Sequence, residues 1–427
     1  MPNLFSEIMP KLEANTFADV PFGEGQMAPH YGGYSILNVP ATVCAALGVP
    51  RPSPHPPLGD EITARISPAD RVILLIVDGM RWDLLLTALE DGLLPEWQRL
   101  AEEGVLAPIT SVSPSTTSAA LSTFWTGRSP TEHGVMGYEM WMRRYGVMAN
   151  TIAHQPSTYR KEGGSLALAG FKPQEFLPYA PLGLHFAKHG VKSFAFHHFV
   201  IANSSFSKAL LQGTESKSFA TQAELWFNLR DLLRSEKGKL FVGIYWAKVD
   251  EFEHKYSPQD ERVLAELHSF GWHMEQYFLK RLTAEERRRT LILITADHGQ
   301  IGTPDNPNFY LHNHPELMET MHLLPGGEHR LMYLYPRLGQ AQKMLDYFEE
   351  QWPGLFNIAP SEQILRSGLF GPGEPHPELR HRVGDFVAIA QRDAYIWWPE
   401  KRNHLLGRHG GVAREEMLVP LLAANLG

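Results

Sequence analysis

Four stretches of the chain carry short apolar runs without polar alternation. They are VILLIV between Arg71 and Asp78, SFAFHH after Lys192, LFVGIYW after Lys239, and LILIT between Thr290 and Ala296. A run that is apolar at nearly every position suits a strand covered on both faces, as in a parallel sheet. Helix-like stretches lie between them, among them Trp82 to Glu90 and Ala223 to Arg234. This alternation predicts an α/β fold with a mostly parallel central sheet flanked by helices.

The pattern changes after His298. Residues 303–400 are rich in Pro, Gly and His and mix a helical stretch, Gln340 to Gln351, with strand-like HRLMYLYP and DFVAIA. This predicts a core of residues 1–302 and 401–427 with residues 303–400 as an inserted cap. The stretch RPSPHPPLGDE, Arg51 to Glu61, is a proline-dense connector that forms neither helix nor central strand. No internal repeat is visible.

Composition narrows the partners. The chain has 427 residues, 43% hydrophobic, which is ample for a large core. Net charge is −8 and the basic residues are dispersed, which argues against a nucleic-acid polymer as ligand. The longest basic run, Arg287 to Arg289, reads as a solvated helix end. The single cysteine, Cys44, allows no intrachain disulfide, compatible with a reducing, cytoplasmic setting. The N-terminus does not read as a signal peptide, and no run approaches the ~18 apolar residues of a membrane span.

In open α/β sheets, ligands bind beyond the carboxyl ends of the strands. VILLIV runs into Asp78-Gly79, LFVGIYW is followed by Asp250 and His254, and LILIT leads to Asp297-His298-Gly299. Carboxylate with imidazole suits zinc and similar divalent ions. Asp250 and His254 share a face if a helix follows the strand. Asp297 and His298 can reach one ion only across a sharp turn, which Gly299 would permit. Each Asp taken singly is more commonly a helix cap; three at three strand ends make capping a poor account of the set. His409, in a Gly-flanked turn, is weak alone. The run Ser113 to Ser118 then opens a small-residue helix. Its hydroxyls read either as an N-cap or as a nucleophile at an anion-attracting helix N-terminus.

The ordered set VDGMR, STTSAALSTFWTGRSPTEHGV, D-x-x-x-H, ADHG and a late HGG resembles the alkaline-phosphatase superfamily, most of all its nucleotide pyrophosphatase/phosphodiesterase branch. The resemblance spans Asp78 to His409. It implies two divalent ions, zinc or manganese, one held by Asp78, Asp297, His298 and the nucleophile's oxygen, the other by Asp250, His254 and His409. It implies Thr117 as nucleophile, nine residues before the Thr126-Gly127 turn, a phospho-threonine intermediate and a small phosphorylated substrate, nucleotides included. The branch's Phe-Pro-Asn after the threonine is here Ser118-Ala119-Ala120, so a side-chain donor to phosphoryl is expected to be missing at Ala120.

Rival readings are a phosphomonoesterase, a sulfatase, a phosphomutase with its sugar domain in 303–400, and an idle metal-binding module. A sulfatase needs a Cys/Ser-x-Pro-x-Arg nucleophile motif, absent here, and neither Arg81 nor Arg128 matches a monoesterase clamp. Trp125, Tyr138, Trp141 and Trp246 lie near the motifs, where core packing is their commoner role. His312 and His314 follow ADHG closely enough to be candidates for the site.

Overall fold

The computed structural model describes residues 3–158, 162–399 and 401–427. Its main sheet has seven strands in the order Val105–Thr110, Leu418–Asn425, Thr290–Thr295, Arg71–Val77, Leu240–Trp246, Lys192–His198, Glu215–Phe219. The four strands expected from apolar runs are consecutive neighbours, all parallel, and nearly every residue in them is buried. Leu418–Asn425 runs against both its neighbours. Register sets the strands level: Val77 pairs with Trp246 and Ile76 with Thr295, so Asp78, Asp250 and Asp297 leave the sheet at one edge.

Helices cover both faces. The expected helices are Trp82–Glu90, Gln222–Ser235 and Ala341–Gln351. Helix Thr117–Thr126 packs closely on the sheet: a Cβ on Gly243 would lie 2.9 Å from Trp125. No described helix is long and apolar enough to cross a membrane.

A second, antiparallel sheet has the order Phe356–Pro360, Phe386–Ala390, Leu331–Leu334, Gly326–Gly327, Glu139–Met142, Val147–Asn150, Gln155–Pro156. Three of its strands come from residues 139–156, so the strands of 303–400 do not form a sheet by themselves. Period-two alternation shows what this sheet joins. Leu331 and Tyr333 point into the core of the main sheet, while Met332 and Leu334 join a second core with Phe348 and Trp352.

Candidate active site

The hydroxyl-bearing turn is built by the start of helix Thr117–Thr126. Thr116 occupies the N-cap position in extended conformation yet makes no side-chain cap bond. Ser115 Oγ donates to the Gly411 carbonyl at 2.7 Å and Ser118 Oγ to that of Gly137 at 3.0 Å. Thr117 Oγ1 instead lies 3.1 Å from His298 Nε2. Ala120 is fully buried in the helix and does not line the cavity. The expectation that Ala120 costs the site a donor is therefore corrected: a side chain there faces the core.

Asp78, Asp297 and His298 converge, all buried. His298 Nε2 is 3.4 Å from Asp78 Oδ1 and 3.5 Å from Asp297 Oδ2. Each carboxylate is anchored by its other oxygen. The Tyr245 hydroxyl donates to Asp78 Oδ2; the Gly79 and His298 N–H groups donate to Asp297 Oδ1 at 3.3 and 3.0 Å. Asp78 Oδ1 and Asp297 Oδ2 have no hydrogen-bond partner among the described residues. A buried carboxylate oxygen without a partner is costly unless a cation meets it. Burial, then the charges of Asp250 and Asp297, push the Asp78 pKa well above its ordinary value.

Asp250 and His254 sit on one face of helix Lys248–Tyr256, with Ala247 and not Asp250 at its N-cap. His254 Nε2 is 3.4 Å from Asp250 Oδ2, and His409 Nε2 is 3.7 Å from Asp250 Oδ1. Asp250, His298 and His409 also converge as a trio, because the His298 and His409 rings stack at 3.8 Å. His298 Nε2 can serve only one ion, and its shortest approaches are to Thr117 and the Asp78 and Asp297 carboxylates. His254 lies outside that trio; it meets Asp250 as above, and its ring centre is 5.1 Å from that of His409.

All three imidazoles are oriented alike. Nδ1 of His254 donates to the Gly407 carbonyl at 2.8 Å, that of His298 to Gly299 at 3.1 Å, and that of His409 to Ser115 at 3.2 Å. Each therefore presents Nε2 as a lone pair, the usual arrangement of a metal-ligating histidine. Burial, then the charges of His298 and His254, hold the His409 pKa well below its ordinary value, so it stays neutral. Three carboxylates, three imidazoles and one hydroxyl form a donor set that fits two zinc-like ions.

Two glycines allow this convergence. Gly79 has φ +75, and a Cβ there would lie 2.9 Å from the Asp250 backbone. Gly299 was expected to supply a sharp turn; its role is instead close approach, since a Cβ there would lie 2.1 Å from the Glu415 carbonyl oxygen. Tyr245 carries a testable role as well. Tyr245→Phe removes the hydroxyl that orients Asp78 and is expected to weaken metal binding about 10–100-fold, the usual cost of losing such a partner. Metal titration of the two proteins checks it; equal affinities would show that this bond does not hold the ligand.

A cavity of about 800 Å³ opens over these residues. Tyr138 and Trp141 line it, as do Trp397 and Trp398, which sequence reasoning missed. Trp125 and Trp246 are core: Trp125 meets Phe241 edge-on, and Trp246 stacks on Phe219 and Phe270. His314 bonds Tyr347 and the Asn308 carbonyl, and His312 packs beside Tyr310; neither lines the cavity, which takes His322 and His329 instead. Glu328 and Lys401 were also missed. No local signal marks any of these; the second sheet carries them in. Arg81 is sequestered by Glu253, and Arg128 by Glu132. No arginine among the described residues lines the cavity.

Residues 72–411 match the family model described as type I phosphodiesterase/nucleotide pyrophosphatase. Among solved structures, mouse ectonucleotide pyrophosphatase/phosphodiesterase 5 aligns with TM-score 0.61 at 19% identity, covering 83% of this chain and 87% of that one. An inactive threonine-to-alanine variant of the mouse protein, solved in complex with AMP, aligns with TM-score 0.60 at the same identity and coverage. Phosphonoacetate hydrolase from Sinorhizobium meliloti, in complex with phosphonoformate, aligns with TM-score 0.60 at 18% identity, covering 82% and 89%. At these identities the likeness is one of fold. No curated protein matches the chain significantly.

Proposed function

Because the chain belongs to the type I phosphodiesterase/nucleotide pyrophosphatase family of the alkaline-phosphatase superfamily, we propose that it is a two-metal phosphodiesterase with Thr117 as nucleophile. Family membership makes it a phosphoester hydrolase; the diester preference, the threonine intermediate and the metal, zinc or manganese, are the proposal. The observation that carries it is the isolation of one hydroxyl. Ser115 and Ser118 spend their hydroxyls on backbone carbonyls, whereas that of Thr117 lies against His298 in the ligand cluster.

The chain's own residues divide the work as follows. Asp78, Asp297 and His298 would hold one ion beside Thr117; Asp250, His254 and His409 would hold the other. When bound, the ions supply positive charge that favours the threonine alkoxide and neutralises the phosphoryl oxygens. The Thr117 hydroxyl gives its proton to water, Oγ1 attacks phosphorus in line as the bond to the leaving oxygen breaks, and that oxygen takes a proton from water to leave as the alcohol. The uncapped start of helix Thr117–Thr126 favours the phosphoryl charge. Water then attacks phosphorus, breaks its bond to Oγ1 and restores the hydroxyl.

The diester reading is supported by the aromatic walls, which give a second ester group apolar surface. The substrate is then a small phosphorylated compound, nucleotides included. A reducing compartment is part of the same reading, supported by the buried free Cys44. The test is hydrolysis of bis(4-nitrophenyl) phosphate against 4-nitrophenyl phosphate by protein reloaded with zinc or manganese. The diester is expected to react faster. A faster monoester would overturn the diester preference, and metal-loaded protein inert on both would sink the hydrolytic proposal. Phosphonoacetate belongs in the same assay, because its hydrolase shares the fold.

A further inference from the structure

The turn between Gly326–Gly327 and Leu331–Leu334 presses three consecutive polar residues against the site. Glu328 Oε1 accepts the Tyr138 N–H at 2.6 Å. It packs tightly on Gly410: a Cβ there would lie 2.3 Å from Glu328 Cβ. Arg330, fully buried, grips Glu416 through Nε at 2.8 Å and Nη2 at 3.1 Å and donates to the Ala394 carbonyl at 2.6 Å. Glu416 in turn accepts the Gly411 N–H at 2.9 Å, two residues past His409. Both flanks of His329 are thus fastened to the catalytic loops, and its own carbonyl accepts the Ile396 N–H at 2.9 Å.

The His329 ring meets the rings of both Trp397 and Trp398, each centre 4.7 Å away, and it lines the cavity. Neither ring nitrogen has a hydrogen-bond partner among the described residues. Each ring nitrogen can hydrogen-bond a ligand, as donor or acceptor according to the proton it carries. A polar side chain fixed through both sequence neighbours, lining a cavity and unmatched by protein, is preorganised for a ligand.

We propose that His329 is a specificity-determining residue that hydrogen-bonds a polar group on the organic part of the substrate, while Trp397 and Trp398 cover that part's apolar frame. The substrate class is then a phosphodiester whose alcohol carries a hydroxyl, carbonyl or amine near the ester. The inference rests on the diesterase reading above. A site built to hydrogen-bond a substrate group discriminates against the analogue lacking it, because its own polar atoms are left unmatched.

The test is calorimetric binding to the metal-loaded Thr117→Ala protein, so that turnover plays no part. The two probes are the 4-nitrophenyl phosphodiesters of glycerol and of 1-propanol, which differ only in hydroxyls. The glycerol diester is expected to bind at least about tenfold more tightly, roughly the value of one hydrogen bond. Adding His329→Phe, which keeps a ring against both tryptophans, is expected to erase that preference. His329→Gln, which keeps a donor and an acceptor, is expected to restore part of it. A preference absent at the outset, or unchanged by His329→Phe, overturns the role of His329 alone. Failure of the metal-loaded protein to bind either diester overturns the diesterase reading and this inference with it.

Discussion

Thr117→Ala is expected to lower phosphodiester turnover by about 10⁴–10⁶-fold, the scale on which removing a catalytic nucleophile acts. Its metal content is expected to fall little. Asp78, Asp297 and His298 converge without help from the threonine, and their anchoring bonds come from Tyr245, Gly79 and backbone groups. The neighbours serve as controls. Ser115 and Ser118 spend their hydroxyls on backbone carbonyls, so alanine at either position is expected to cost stability more than rate. Steady-state kinetics and metal analysis on the three variants check this. Turnover above about a tenth of wild type in Thr117→Ala would mean that another group attacks phosphorus.

Chelation is expected to destabilise the protein, and more so as pH rises from 7 to about 8. Without ions, burial and then the charges of Asp250 and Asp297 raise the Asp78 pKa well above 3.8. Burial pushes Glu328 from 4.5 up to about 8. Unfolding returns both to ordinary values, so above those values the folded state binds more protons than the unfolded. By linkage, stability then falls as pH rises, until each raised pKa is passed. Between pH 7 and 8 the cost from Glu328 alone is on the order of 1 kcal/mol. Buried histidines such as His133 and His197, their pKa values lowered by burial, act in the opposite sense, but only below about 6.5. Above that pH the carboxylates dominate. Bound ions supply the missing charge and are expected to flatten the slope. Melting temperatures across this range, with and without chelator, decide it. A chelated protein whose melting temperature holds or rises from pH 7 to 8 would refute the carboxylate account.

The legible parts of the fold are those whose signal is local. Strands Arg71–Val77, Lys192–His198, Leu240–Trp246 and Thr290–Thr295 announce themselves because burial on both faces demands apolar residues throughout. Glu215–Phe219 was not legible: it is an edge strand, mostly exposed, and reads ESKSF. Val105–Thr110 hides behind Pro108, which an edge strand tolerates and which stands opposite Pro420. The strands of residues 139–156 were missed for another reason. Glu139 pairs with Gly327, far along the chain, and no local pattern reports so distant a partner.

The same division runs through the site. The sequence by itself determined the ligand types and their places at strand ends, because an Asp or His just beyond a buried apolar run must emerge at the sheet edge. It also determined that a hydroxyl-bearing helix start follows, and the motif order carried the family. Only the tertiary structure decided that Ser115 and Ser118 turn their hydroxyls to backbone carbonyls, that Ala120 is buried in the core, and that Glu328, His329, Trp397 and Trp398 line the cavity. Those outcomes depend on strand order, on register and on pairing between segments remote in the chain. Local residue pattern carries none of these, because each is set by which apolar faces find one another when the two cores close.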